Sequence, residues 1–418
     1  MLMHNRLKKI REIRGMKQAE VCHGILSASH YSNIEACRFT ASADTMRLIA
    51  ERLDVPYSYL TNLNSYSAEL EELLLEYEKL IDLRNRKEME QFLSKYKHEF
   101  QYIESISQEY HYFLLKFLEL VSTNKIEEAV THYDESISDI DTTIINYKAY
   151  KNYLYASGLY NYYKRNYKES IKFYLETIDM DKSYKSRLFY NISLCFYIQG
   201  LYSNALFYVK SANDLYLKEH KWDKVADCYN LISVIHLEMG DLRKAEKYIQ
   251  KGLDIAYLSS KDIEPKLYHN LALIKKDQGD IESALNNTHK AIKLKKSLNA
   301  NDIFISYRLK LTIFSENRDV YNLTNTLKLA ENCAKTPTEL ALLKYFDAQL
   351  NWLQGNYQQY EKGISKVVKV FLAHQDWISL KQASEHYSLY LEKDNKYKKA
   401  LEQQKLCCLA LENIKKGK

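Results

Sequence analysis

The sequence predicts an all-α protein, with a run of short helices at the amino-terminal end followed by a long array of helical hairpins. Two observations carry this. Only 3 prolines and 10 glycines interrupt 418 residues, so little in the chain stops a helix. The stretch from Arg187 to Gly279 also repeats itself: Phe189-Tyr190-Asn191-Ile192, Cys228-Tyr229-Asn230-Leu231 and Tyr268-His269-Asn270-Leu271 are each followed, nine or ten residues on, by Gly200, Gly240 or Gly279. A period of roughly 40 residues built as helix, turn and helix marks a superhelical repeat array.

In chain order, Leu7, Ile10 and Ile13 form an apolar stripe on a first helix whose other face carries Arg6, Lys8, Lys9, Arg11 and Arg14. Gly15 ends it. A second short helix runs from Lys17 to Cys22, a turn follows at His23-Gly24-Ile25, and a third helix runs from about Ser27 to Glu35, which is helix-turn-helix spacing. Ser42 caps a fourth helix that buries Met46, Ile49, Ala50 and Leu53, and Val55-Pro56-Tyr57 opens a fifth ending at Leu60. The polar, uncharged stretch after it reads as a linker. The expected domains are 1–62, a linker at 63–67, and 68–418.

From Ala68 the helices lengthen, with Leu70, Leu73, Leu74, Tyr77 and Leu80 on one stripe and Met89, Phe92, Leu93 and Tyr96 on its partner. The hairpins then align on Ala129, Ser170, Ala205, Ala245, Ala284, Leu323, Tyr360 and Ala400, spaced 35 to 41 residues apart. A small side chain is expected there because two helices cross with little room. Leu323 and Tyr360 depart from that pattern. Turns precede these positions at Asn124-Lys125, Arg165-Asn166, Gly200-Leu201, Gly240-Asp241, Gly279-Asp280, Arg318-Asp319, Gly355-Asn356 and Asp394-Asn395.

Composition bounds the function classes. Seven cysteines occur without a CxxC pair, and Cys407-Cys408 are adjacent, so a reducing cytoplasm is expected. No apolar run reaches membrane-spanning length and the start lacks a secretion core, so no membrane partner is expected. A net charge of +6 is mild for this length. The 37 tyrosines suit helix seams and peptide grooves. No glycine-rich phosphate loop, HExxH, metal-spaced Cys/His cluster or GxSxG element occurs, so neither catalysis, a cofactor nor a metal is expected.

The first five helices resemble the Xre/Cro-like helix-turn-helix family over Asn5 to Leu60, through Arg11, Met16 to Val21, Tyr31-Ser32-Asn33-Ile34-Glu35 and Leu48 to Val55. The resemblance implies an internal Arg11–Glu35 pair, Gln18 beside the DNA backbone, Ala28, Ser29, Ser32 and Asn33 on the groove-facing side, and Tyr31 and Ile34 turned inward. Asn33 suits adenine and Arg38 a phosphate. Cys37 stands where that family has a helix-ending glycine.

Gly240-Asp241-Leu242-Arg243-Lys244-Ala245-Glu246-Lys247-Tyr248 looks like a tetratricopeptide repeat, which implies a right-handed superhelix. In order and length the whole chain is similar to the RNPP family of peptide-pheromone receptors. That similarity implies that Asn191, Asn230 and Asn270 bind the backbone of a short signalling peptide. Asn191 and Asn270 fall on the repeat's consensus asparagine, and Asn230 sits one residue out of register. Arg187, Tyr229, Lys266 and Arg308, with Tyr190 and His269 nearby, are candidates for selectivity. The implied partners are operator DNA, the peptide and a second copy of the chain. The alternative is a Rap-like switch that holds a response regulator until peptide binds.

Overall fold

A computed structural model describes residues 2–36, 38–83, 85–258 and 263–416. Among them every regular element is helical. Cys37 lies outside the described residues. The chain divides into two units, Met1–Lys182 and Ser183–Lys418.

The first unit opens with α1 (Leu2–Ile13), α2 (Gln18–Cys22), α3 (Ala28–Glu35), α4 (Ala43–Leu53) and α5 (Tyr57–Thr61). Ser27 and Ser42 cap α3 and α4 by accepting from His30 N and Thr45 N, which satisfies backbone donors that a helix start otherwise leaves open. Leu7, Val21, Tyr31, Ile34, Ile49, Leu53 and Leu60 are fully buried between these helices. Three hairpin pairs complete the unit: α6 (Ala68–Leu83) with α7 (Arg86–Lys95), α8 (Ile106–Ser122) with α9 (Ile126–Ser136), and α10 (Tyr147–Tyr163) with α11 (Tyr167–Met180). The buried stripe of α6 is Glu71, Leu74, Tyr77 and Ile81, one side of the stripe read from sequence.

The stretch at 63–67 is held at both ends. Leu63 O accepts from Ile106 N, and Ser67 exchanges two bonds with the Gln108 side chain. Asn62 donates to Glu104. Arg6, on the face opposite the apolar stripe of α1, is buried at 4% exposure. Its guanidinium meets Glu109 at 2.8 Å and donates to the carbonyls of Tyr59, Ile103 and Glu104, while Tyr59 O–H donates to Glu109. A charge this deep is tolerated only when every donor is matched, and here each neighbour supplies an oxygen.

The second unit holds six hairpins: α12 (Lys185–Ile198) and α13 (Tyr202–Lys218), α14 (Trp222–Glu238) and α15 (Leu242–Leu258), α16 (Glu264–Asp277) and α17 (Ile281–Ser297), α18 (Ile303–Glu316) and α19 (Val320–Glu331), α20 (Pro337–Leu353) and α21 (Tyr357–Ala373), α22 (Trp377–Lys393) and α23 (Tyr397–Lys416). The positions on which the repeats align, Ala129 to Ala400, are all buried, seven of them at 0%. Ser233 Oγ donates to Ala245 O at 2.7 Å and Ser388 Oγ to Ala400 O at 3.2 Å, so the crossing is pinned as well as tight. Tyr360 fits because the close approach moves one turn along: a Cβ on Gly363 would lie 3.2 Å from the Ala348 Cβ. From α8 onward the turn inside each of the eight hairpins carries one left-handed residue, Gly at 200, 240, 279 and 355 and Asn124, Arg165, Arg318 or Asn395 elsewhere.

Candidate DNA-reading and peptide-binding sites

In the first unit, α3 presents two faces set by its helical period. Tyr31, Ile34 and Glu35 are buried, and Ser29, Ser32 and Asn33 lie on the opposite side. Arg11 Nε donates to Glu35 Oε1 at 2.8 Å, and Arg11 also meets Met16 O, so this pair closes the core against α1. Tyr31 is pushed to a higher pKa by burial and stays a neutral phenol. Ala28 and Ser29 are exposed at the helix start, and Arg38 is exposed just past its end. Gln18, at the start of α2, donates its amide to Glu35 Oε2, inside the motif.

Two further residues shape this face. Arg52 of α4 donates to Glu20 O and His23 O, which fixes the turn between α2 and α3. Phe39, 56% exposed, packs on the His30 ring at 5.5 Å beside Asn33. Local pattern gave no sign of either, since both act across turns.

In the second unit, the first helices α14, α16, α18 and α20 are successive neighbours, forming one layer. Asn270 Nδ2 donates to Asn230 Oδ1 at 2.7 Å, joining α14 to α16. Ser306 Oγ meets His269 Nδ1 at 3.3 Å and Lys276 meets Glu316 at 3.1 Å, joining α16 to α18. Burial, helped by nearby Lys295, lowers the His269 pKa to about 4, so the ring is neutral. Arg308 occupies the next step of the asparagine column, 38 residues after Asn270.

Asn191 lies half-buried on α12, the preceding first helix. The other candidates sit apart from the asparagine pair. Arg187 lies 5.4 Å over the Tyr184 ring, Lys266 is exposed one turn before Asn270, and Tyr229 turns toward Tyr248 and Lys251 of its own hairpin. Among the described residues the pair still has bonding capacity: both Asn230 N–H groups and the Asn270 oxygen remain for a ligand amide.

No group of three His, Cys, Asp or Glu residues among the described residues is placed to hold a metal, and no described helix is long and apolar enough to cross a membrane.

Residues 7–60 match the helix-turn-helix family profile. No curated protein matches the chain in sequence. Among solved structures, a Rap protein in complex with competence and sporulation factor aligns with a TM-score of 0.65 at 13% identity, covering 84% of this chain and 100% of that one. The apo form of the quorum sensor NprR from B. thuringiensis aligns at 0.63 and 16% identity, covering 82% and 99%. The two proteins share this chain's fold. NprR in complex with its cognate peptide NprX aligns at 0.53 and 19% identity, over 79% and 99%. At these identities the likeness is one of fold.

Proposed function

We propose that the protein is a peptide-switched transcriptional regulator that binds operator DNA through α2 and α3 and a short signalling peptide along the first-helix layer of its second unit. The observation that carries this reading is the Asn230–Asn270 pair, two amides aligned on adjacent repeats with donors and an acceptor to spare, in a chain that also holds a complete helix-turn-helix. Extended peptides need a backbone partner that ignores side chains, and a row of carboxamides supplies it. The fold shared with NprR, a quorum sensor solved with its cognate peptide, supports the same reading. In this account the protein acts in the cytoplasm as a homodimer on two half-sites.

DNA recognition would fall to Ser29, Ser32 and Asn33 at base edges, with Arg38 and the start of α3 at phosphates. Replacing Asn33 and Arg38 by alanine tests it. The regulator reading expects DNA binding and the cellular effect to disappear together while peptide affinity persists. The Rap likeness favours one other reading, a switch that holds a response regulator, and retention of the effect in that double variant would support it.

A further inference from the structure

A cleft of about 390 Å³ opens among α18, α20 and α22. Apart from Arg318, in the turn after α18, its walls come from first helices, the layer that also carries Asn230, Asn270 and Arg308. Phe346, Trp352 and Leu389 give it an apolar side, with His386 set edge-on to Trp352 at 5.1 Å.

One buried polar group there lacks the partner that such a group ordinarily finds, and one exposed cation stands beside it. Gln349 is 3% exposed beside the Tyr345 hydroxyl, and its Nε2 makes no hydrogen bond of ordinary geometry. A buried amide donor left open costs free energy, so it marks a place where an acceptor belongs. Arg318 lies over the Trp352 ring at 5.9 Å and makes no ion pair among the described residues. The two carboxylates of the cleft are already matched, Glu316 by Lys276 at 3.1 Å and Glu385 by Lys381 at 3.8 Å. Arg318 is thus the cation of the cleft without a carboxylate partner among the described residues, beside an open amide donor and an apolar wall.

We propose that this cleft binds the last residue of the ligand peptide, with its carboxylate on Gln349 and Arg318 and an apolar side chain against Phe346, Trp352 and Leu389. The proposal rests on the peptide-receptor reading above and fixes the polarity of the peptide in it. Helices packed side by side lie about 8–10 Å apart, and an extended chain advances about 3.3 Å per residue, so a ligand from Asn230 on α14 to α20 has about eight or nine residues.

The test uses two pools of synthetic nonapeptides, randomised in sequence, one ending in a free carboxylate and one in a carboxamide. Each is captured on the full-length protein and read by mass spectrometry. The wild type should take the acid pool about tenfold better, the value of one charge-assisted bond pair, and enrich apolar last residues. Arg318→Gly, which relaxes a left-handed backbone, and the near-isosteric Gln349→Met should each erase that preference while still capturing peptides. Equal capture of both pools, or a preference unchanged in the two variants, overturns the proposal and leaves the receptor reading standing. A preference for aspartate or glutamate inside the peptide that survives amidation also overturns it, assigning the cleft to an acidic side chain. Capture of neither pool by the wild type overturns both.

Discussion

Asn270 donates to Asn230 across 2.7 Å, although the two asparagines stand 40 residues apart and one residue out of step within their repeats. The bond ties two adjacent hairpins by side chains alone, at the point where a peptide backbone would compete for the same amides. Asn270→Ala should cost about 1 kcal/mol of stability, the net value of one neutral hydrogen bond. It should also abolish the peptide response while leaving DNA affinity unchanged. Urea unfolding and titration calorimetry with a bound peptide check the two halves separately.

The Arg6–Glu109–Tyr59 cluster predicts a different failure. Glu109→Ala leaves the Arg6 guanidinium buried without its counter-charge, which costs about 3–5 kcal/mol. The loss should concentrate where the first five helices meet α8, so limited proteolysis should cut within 63–67 in the variant and spare that stretch in the wild type. Glu109→Gln, which keeps the shape and one acceptor, should fall between them.

The left-handed turns give a paired prediction of opposite sign. Gly240, at φ 76°, should lose about 1 kcal/mol on substitution by alanine, because a Cβ is disfavoured there although the space is open. Arg165, at φ 63°, should gain up to about 1 kcal/mol on substitution by glycine. Thermal unfolding of the two variants measures both.

Acid should weaken both units. Burial lowers His111 and His269 to about 4 each, below the ordinary histidine value near 6.5. Between those values the unfolded chain binds the protons that the folded chain refuses. Stability is therefore complete above about pH 6.5 and falls as pH drops toward 4, by about 1–3 kcal/mol per histidine. His111→Gln and His269→Gln should each flatten the urea midpoint against pH over that range.

Much of this was legible because local rules governed it. The eight turns and the Ser42 cap follow from helix period and capping chemistry, and the Arg11–Glu35 pair and the inward Tyr31 and Ile34 from the family resemblance. The burial of Arg6 was not legible, because its acceptors lie 53 to 103 residues away, beyond any local pattern. Gln18 carries the residue type of a backbone contact, but Glu35 has a second oxygen free once Arg11 takes the first, and the amide turns to it. The register of Asn230 looked like a defect in sequence. In the fold, side-chain reach absorbs a one-residue shift, since helix neighbours need only bring two carboxamides within 3 Å.

The most direct measurement is a mobility-shift titration of the purified protein on the DNA upstream of its own gene, with and without short synthetic peptides from the small reading frames beside that gene. The account predicts a specific shift that one peptide strengthens or abolishes in the wild type and leaves unchanged in Asn230→Ala. By linkage, DNA should alter the affinity for that peptide by the same factor. A specific DNA complex that ignores a peptide bound at the asparagine pair would contradict it.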